Sequence, residues 1–554
     1  MFYTKSNSHH YHSAIRRWAG LLSPSVILLS MLLTPQISRA QTPGILWSFD
    51  TRDASFGQSA AGDIDGDGLL ELVFGCYRND SCVYALNAED GSLLWKYNTH
   101  SATAEGCNDV ASLIIDVDGD GTMEVIVPSS CNPTTYCFDG KTGALKWSAA
   151  TRGSDSPPTI ADVDGDGVLE ILHGEFGGYV ICLNAETGAF EWELTVDTHS
   201  WIQTAPTLLD ADADGKLDFI VATWNSTAGD TNTVRAYRCI DRSLLWSKPL
   251  ADVVYHGTTV ADLDHDGKPE LALGDYSGTL YVLNAEDGST AWSMAPLGPG
   301  HYIGAPVSAG DLDGDGICEL VAVSWYKVVA LAHDGNRLWE YDIDNYSTAF
   351  RGAALSDVDD DALPDVVFGT SSGQVVALNG LNGSKLWSID LASDYGNALF
   401  ALDHAPIIAD FDLDGGLDVF IVGGHGEYPD FWKDFGRAYA LSLEKGTGPD
   451  WLMFQHDYDR SGSLCRHGTT SVRIGTEAAL PRVQLYPLPV NDELHIESGD
   501  PRSYRILDAA GRVVAHRPET SSTTVWNISG LPSGIYFVLA ENGSSLIVRS
   551  FVKQ

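Results

Sequence analysis

An acidic nine-residue motif returns along this chain at a near-constant interval, and that recurrence constrains the fold more than any other feature. Its first copy, "DIDGDGLLE", runs from Asp63 to Glu71, and later copies begin at Asp116, Asp162, Asp210, Asp262, Asp311, Asp357 and Asp410. Steps of 46 to 53 residues between these starts make one unit of about fifty residues, used eight times. The order within each unit is fixed: a short apolar stretch, the acidic loop, an apolar run, a Gly-containing turn, then "VYALNAEDGSLLW" or a variant such as "VICLNAETGAFEW". The apolar runs are short, rich in β-branched and aromatic residues, and bounded by Gly, Asn, Asp or Ser, which favours strands over helices. Four strands per unit, repeated, predict an all-β chain whose main body is an eight-bladed β-propeller, with seven blades as the variant. Trp47, Trp95, Trp147, Trp192, Trp246, Trp292, Trp339, Trp387 and Trp451 recur near the unit ends, as plates between neighbouring blades. Nine tryptophans for eight loops predict ring closure, with "GILWSF" near the N-terminus completing the last blade.

The acidic loops ask for a cation. Carboxylates at positions 1, 3 and 5 wrap one side of a hard ion, a Gly at position 6 permits the turn, and the acid at 9 closes the shell. The spacing differs from an EF-hand, whose closing Glu stands at position 12 between helices. The expected ligands are Asp63, Asp65, Asp67 and Glu71; Asp116, Asp118, Asp120 and Glu124; Asp162, Asp164, Asp166 and Glu170; Asp210, Asp212, Asp214 and Asp218; Asp262, Asp264, Asp266 and Glu270; Asp311, Asp313, Asp315 and Glu319; Asp357, Asp359, Asp361 and Asp365; and Asp410, Asp412, Asp414 and Asp418. Up to eight structural calcium ions are expected. Copy seven, with Ala362 in place of Gly and a short Asp365, is the expected weakest site.

A formal net charge of -42 argues against nucleic acid or an anionic membrane as partner. Residues 1–40 read as a signal peptide: Arg16 and Arg17 precede an apolar stretch, and Ser38 and Ala40 hold the small-residue cleavage positions. No other segment approaches the roughly 18 apolar residues that span a bilayer, so no transmembrane span is expected once the signal is removed. The nine cysteines suit an oxidising compartment, and Cys76–Cys82 and Cys131–Cys137 are the expected bridges, with Cys107 competing for Cys131.

"SFGQSAAGDIDGDGLLELVFG" resembles the FG-GAP repeat of integrin-α-like propellers, and Gly304, Ala305 and Pro306 supply that repeat's Gly-Ala-Pro element. "ALNAEDGSLLW" resembles the repeat of PQQ-type propellers, the fold of quinoprotein dehydrogenases. Those enzymes usually carry adjacent cysteines at their cofactor, and no two cysteines here are adjacent. After a linker at 465–482, residues 483–554 alternate apolar and polar with Gly and Pro turns, predicting a small Ig-like β-sandwich. This segment closely resembles the C-terminal sorting domain of type IX secretion cargo in Bacteroidota and relatives. Tyr486-Pro487-Leu488-Pro489 stands for that family's Tyr-Pro-Asn-Pro, and Gly511-Arg512, Leu531, Gly534-Ile535-Tyr536 and Lys553 match its pattern. The resemblance implies the type IX machinery as partner and a secreted or surface-attached product.

On the propeller face opposite the acidic loops, His256, Arg351 and His404 each stand six residues before their loop, beside Trp201, Tyr255, Tyr302 and Phe350. They are the expected ligand rim, with the histidines adding positive charge in mild acid. The sequence favours a calcium-stabilised propeller at residues 41–464 that binds glycan or protein ligands without catalysis. The alternatives are a surface polysaccharide lyase or other glycan-active enzyme, and then a PQQ-dependent dehydrogenase.

Overall fold

A computed structural model describes residues 42–465, 483–486 and 493–553, with breaks at 109, 226–230, 299, 345–346, 428–429, 509–511, 530, 533 and 543–544. The expected signal peptide, most of the expected linker, Pro487 to Pro489 and Gly511 lie outside the described residues.

Each acidic loop joins a three-residue inner strand to a strand that starts at the ninth motif residue. In the first blade these are Ala60–Gly62 and Glu71–Gly75, followed outward by Cys82–Asn87 and Leu93–Asn98. The two middle strands are buried almost throughout, because neighbouring blades cover both faces, whereas the outermost strand alternates between buried and exposed. Seven further four-stranded antiparallel sheets repeat this order, and we number the eight blades along the chain by their inner strands, from Ala60–Gly62 to Ile407–Ala409.

Closure follows the expected route. The fourth strand of blade eight is Gly44–Thr51, which pairs antiparallel with Phe435–Ser442, Trp47 opposite Ala440. Ring closure therefore joins the two ends of the propeller in one sheet, and eight blades is the count.

Every outer strand places its tryptophan at a β-bulge, as with Trp95 opposite Ala85 and Trp147 opposite Cys137. A bulge raises local twist and re-aims a side chain, here toward the following blade. Trp47 donates its indole N–H to Ala88 O at 2.7 Å and Trp95 to Gly140 O at 2.6 Å. A turn glycine lies beneath most of these rings: Gly91 has φ +70°, and a Cβ there would lie 2.5 Å from Trp47. In blade four Arg242 takes the glycine's left-handed position at φ 61° and lays its guanidinium 5.6 Å from the Trp192 ring.

Trp451 departs from the expectation. It is not an outer-strand plate but part of a segment, Gly448 to Leu464, that closes the propeller axis. Backbone amides of Asp357, Ile408 and Ala61 donate to Gly448 O, Trp451 O and Leu452 O at 2.8 to 3.1 Å. Tyr458 Oη and Arg460 Nε donate to Ile114 O and Pro158 O at 2.7 and 2.9 Å. The amides of Leu208, Val260 and Ala309 donate to Asp459 O, Ser461 O and Gly462 O at 2.8 to 3.1 Å. The segment thus bonds to blades seven, eight, and one through six. Arg460 is fully buried and caps three carbonyls, those of Pro158, Phe454 and Ser112.

A disulfide from Cys465 to Cys318 pins the segment to blade six, and Cys107 pairs with Cys131. The expected Cys76–Cys82 and Cys131–Cys137 bridges are corrected accordingly. Cys137 points into the interblade core from strand Thr134–Asp139, away from Cys131, whose backbone neighbour Ser130 donates to Cys107 O at 3.0 Å. Cys76 and Cys82 face each other across a hairpin as free buried thiols.

The C-terminal strands Val483–Tyr486, Glu493–Asp508, Val513–Asn527, Gly534–Asn542 and Ser545–Lys553 form a separate small β-sandwich. Leu494, Ile496, Tyr504, Ile506, Trp526 and Val538 fill its own core.

Candidate functional site

Two sets of side chains carry chemistry, one on each face of the propeller. The acidic loops fold by bonding to their own carboxylates. Asp63 accepts from Gly66 N and Gly68 N at 2.8 and 3.1 Å, and Asp67 accepts from Leu69 N at 2.8 Å. In all eight copies the ninth-residue acid accepts from the second-residue amide at 2.7 to 3.0 Å. Asp218, Asp365 and Asp418 reach this amide as well as the glutamates do. The closing acid is buried beside three other carboxylates, so Glu71 is pushed up to about 8, by burial first and then by Asp65, Asp63 and Asp67. Ligand oxygens of Asp63, Asp65 and Glu71 lie within 4.8 Å of one another, as do those of the corresponding acids in other copies. Clusters of this composition and spacing suit a hard cation such as calcium.

The copies are not equivalent. Lys146 Nζ lies 2.9 Å from Asp118 and 2.7 Å from Glu124 in copy two, and Arg238 pairs with Asp212 in copy four. In copy seven Ala362 is held at φ 70°, and Thr447 and Gly446 N from the axial segment's approach donate to Asp357 and Asp360.

The opposite face holds the axial mouth. Position −7 relative to the eight loops is occupied by Phe56, Asp109, Asp155, Gln203, Tyr255, Gly304, Phe350 and Asp403, one from each interblade connection. Asp109 lies outside the described residues. Asp155 and Asp403 are half-buried, and both sit within electrostatic reach of Arg351. Burial pushes both carboxyls up, and Arg351 opposes it, as the one lowering cause at Asp403 and as the smallest at Asp155. Asp155 is lowered further by hydrogen bonds from Ser130 and from Gln203 Nε2, the latter at 3.2 Å, whereas Asp403 has Arg351 alone among such causes. The shared register could have found these two acids; their dissimilar neighbours hid it.

Arg351 stacks 5.4 Å from both Tyr255 and Phe350, and its Nη1 lies 3.4 Å from His256 Nε2. His256 and His404 are only 2 % and 1 % exposed, beneath the rim rather than on it. His404 pairs with Ser59 at 3.0 Å. Burial and then the weaker effect of Arg351 push His256 well down, and His404 falls to about 3, chiefly through burial. Both stay neutral in mild acid, against the sequence expectation, because desolvation opposes the imidazolium.

An aromatic wall rises over these groups. Ring centroids lie 5.2 Å apart for Trp224–Tyr255, 5.0 Å for Trp224–Tyr276, 5.1 Å for Tyr276–Tyr302 and 4.7 Å for Tyr302–Trp325. Trp201 bonds through its backbone to Trp224 and is 47 % exposed. Below, a small cavity with room for about one water molecule is lined by Arg351, Pro306, Trp451, Phe454 and Gln455. Its floor is the axial segment.

Comparison with known proteins places these features. Residues 230–451 match the family described as outer membrane protein assembly factor BamB, and 63–127 and 116–173 match the FG-GAP-like repeat. Residues 484–554 match the secretion system C-terminal sorting domain. The chain is a propeller of PQQ-like and FG-GAP repeats with a type IX sorting domain. That domain supplies the partner, the type IX machinery, and the destination, secreted or at the cell surface. No helix among the described residues is long and apolar enough to cross a membrane.

The quinohemoprotein alcohol dehydrogenase ADH-IIG of Pseudomonas putida is 28% identical over 244 residues, 42% of this chain and 31% of that protein. This chain therefore spans about a third of the length of the curated relative it matches. The crystal structure of the V. cholerae biofilm matrix protein Bap1 covers 74% of this chain and 94% of its own at 16% identity, TM-score 0.55. The structure of the Pseudomonas putida dehydrogenase covers 75% and 78% at 16% identity, TM-score 0.50. The expectation of a non-catalytic binding module is corrected by the first of these, because the repeat-bearing relative is an enzyme.

The relative's cofactor class does not fit this axis. PQQ is a planar tricarboxylate, and the described charged groups at the mouth are two carboxylates around one guanidinium. The cavity has room for about one water molecule and not for a cofactor-sized ligand, and Phe454 and Gln455 close it from below. Neither disulfide joins adjacent residues.

Proposed function

We propose that this propeller is a secreted glycoside-cleaving enzyme whose reaction centre is the carboxylate pair Asp155 and Asp403 at the axial mouth. One observation carries the reading: two half-buried acids stand at the same register around the ring, within electrostatic reach of one guanidinium, beside an aromatic wall on a secreted scaffold. Sugar rings present apolar C–H faces that pack on aromatic rings, and Trp201, Tyr255, Tyr302 and Trp325 offer such faces.

The two acids are differently placed for opposite roles. Asp403, without hydrogen bonds to favour its charged form, keeps a proton and delivers it to the leaving glycosidic oxygen. Asp155, steadied by Gln203 and Ser130, accepts a proton from the attacking water. The bond from the anomeric carbon to the glycosidic oxygen breaks, the bond to the water oxygen forms, and one water is consumed. Arg351, within electrostatic reach of both carboxyls, stabilises the ionised partner. His256, neutral and buried, orients Arg351 rather than exchanging protons.

The acidic loops are framework in this reading. Calcium bound by the first to ninth motif residues braces the opposite face, with copies two, four and seven weakened by Lys146, Arg238 and Ala362. Residues 41–464 form the catalytic propeller and 483–554 the delivery domain.

The test is a polysaccharide panel with reducing-sugar detection. Asp403→Asn and Asp155→Asn should each lower turnover by about 10²- to 10⁴-fold with the melting temperature held within a few degrees. Full activity in both variants places the chemistry elsewhere. Products absorbing in the ultraviolet, from an unsaturated end, signify elimination rather than hydrolysis and overturn the assigned roles.

A further inference from the structure

Arg351 Nε and Gln455 Oε1 are both buried, and neither has a hydrogen-bond partner among the described residues. Both residues line the small cavity below the axial mouth, which has room for about one water molecule. We propose that this cavity is a site for a single ordered water, which accepts a hydrogen bond from Arg351 Nε–H and donates one to Gln455 Oε1, so that Gln455 is a positioning residue for the arginine. The site stands on its own geometry; its effect on rate rests on the glycosidase reading.

The two atoms are complementary, one a donor and the other an acceptor. Pro306, Val307, Ala405 and Phe454 line the same space with apolar side chains. A buried donor and a buried acceptor each cost free energy when unpaired, and one water between them satisfies both.

Gln455 is held in place for this bond. Its φ of 53° lies in the left-handed region, a costly conformation for a residue other than glycine. Its backbone O accepts from Asp457 N and Gly462 N, both at 2.9 Å. Its Nε2 donates to Thr258 O at 3.0 Å, which fixes the amide orientation and leaves the carbonyl oxygen as the atom still to be satisfied. Gly257 makes room for that oxygen, because a Cβ there would lie 2.9 Å from it.

Arg351 is held from its other sides. Tyr255 and Phe350 each stack 5.4 Å from the guanidinium, and Nη1 lies 3.4 Å from His256 Nε2. These contacts set the plane of the group, and the water fixes the Nε edge that they leave. Through it the axial segment reaches the cation that acts on both acids.

The consequence for pH follows from the groups in reach. Asp155, Asp403, His256, His404 and Tyr276 feel Arg351, and Tyr302 feels Asp403. The histidines are pushed down and the tyrosines up, so all four stay neutral near pH 7 and the two acids respond to the arginine. An arginine out of place lowers them less, and both carboxyls rise.

The test is a crystal structure of the full-length secreted protein. Density for one water about 3 Å from both Arg351 Nε and Gln455 Oε1 is expected. An empty cavity, or a direct bond between the two atoms, overturns the site without touching the glycosidase reading, and this outcome depends on no variant. Gln455→Met, which keeps the side-chain length and removes the acceptor, should lose that density and shift the Arg351 side chain; an unmoved arginine overturns the positioning role. On the polysaccharide that the parent cleaves best, the same variant should lower kcat by about 10-fold and move both limbs of the pH–rate profile to higher pH, less far than Arg351→Ala does. In an Arg351→Ala background it should do neither. An equal loss in both backgrounds, or a loss with unmoved limbs, makes Gln455 purely structural. Absence of cleavage by the parent ends the glycosidase reading alone, and the density and the arginine's position then decide for or against the water site.

Discussion

Burial sets the proton affinity of both acids and Arg351 opposes it at each, so removal of Arg351 gives a prediction with a definite sign. Asp155 and Asp403 are raised by burial and lowered by Arg351, so Arg351→Ala raises both further. A rate that needs Asp403 protonated falls as pH rises through that group's value, and one that needs Asp155 ionised falls as pH drops through its own. Both limbs of the bell should therefore move to higher pH in Arg351→Ala, with a lower maximum; a loss of rate with unmoved limbs would assign Arg351 to binding alone. Linkage runs the same way. An aspartate raised in the folded state contributes stability at low pH that is lost as pH rises from its ordinary value toward the folded one. Asp403→Asn should thus be at least as stable as the parent near neutral pH, measured by thermal melts across pH. At this scale the sequence was informative about Arg351, Tyr255 and Tyr302 but silent about Asp155 and Asp403. Lone acids in a chain with 75 of them carry no pattern until the shared register around the ring is seen. The buried histidines were misjudged for the converse reason: residue type suggests charge, and only burial removes it.

The acidic loop and the tryptophan-bearing bulge are the repeating elements, and both were legible because each is local. A nine-residue spacing fixes the loop whatever surrounds it, and the ninth-residue acid caps the second amide in every copy. We expect excess chelator to lower the melting temperature by well over 10 °C, since ions bound only to the native state stabilise it by mass action. Asp65→Ala should cost more of that increment than Asp359→Ala, because copy seven is already strained at Ala362. Lys146→Ala should increase bound calcium by about one ion per chain, read by equilibrium dialysis with elemental analysis, because Lys146 now occupies the acids of copy two. An unchanged stoichiometry would mean that Lys146 and the ion share the loop. Disulfide pairing was legible only as the alternative of Cys107 for Cys131; the favoured Cys76–Cys82 and Cys131–Cys137 bridges were wrong, and Cys318–Cys465 was not foreseen. Cys107 and Cys131 meet through an interblade connection, and Cys318 and Cys465 through the axial segment; neither encounter leaves a mark in local spacing.

At the scale of the whole molecule the two domains answer to different constraints. The sandwich has its own core of Leu494, Ile506, Trp526 and Val538, so removing 483–554 should leave the propeller folded with its melting temperature intact. Export should stop short of the medium, and periplasmic retention by cell fractionation is the readout. Eight blades and the closing strand were legible from repeat count and the surplus tryptophan, whereas the axial segment was not. It binds largely through backbone carbonyls, with side-chain bonds from Tyr458 and the buried Arg460, and such bonds impose no hydrophobic period on the residues that make them. The course of that segment has a further consequence for how the protein comes into being. Its residues follow all eight repeats in the chain, yet they bond to every inner strand, and the first strand of the ring waits for Phe435–Ser442. No partial chain emerging from a membrane can complete the ring or cover its axis. Maturation is thus tied to full passage of the polypeptide, and Cys465 can lock to Cys318 only in the oxidising compartment beyond. The axial segment thus works as a completion step written in the chain's own order, because ring closure and axial cover both wait for residues beyond the eighth repeat.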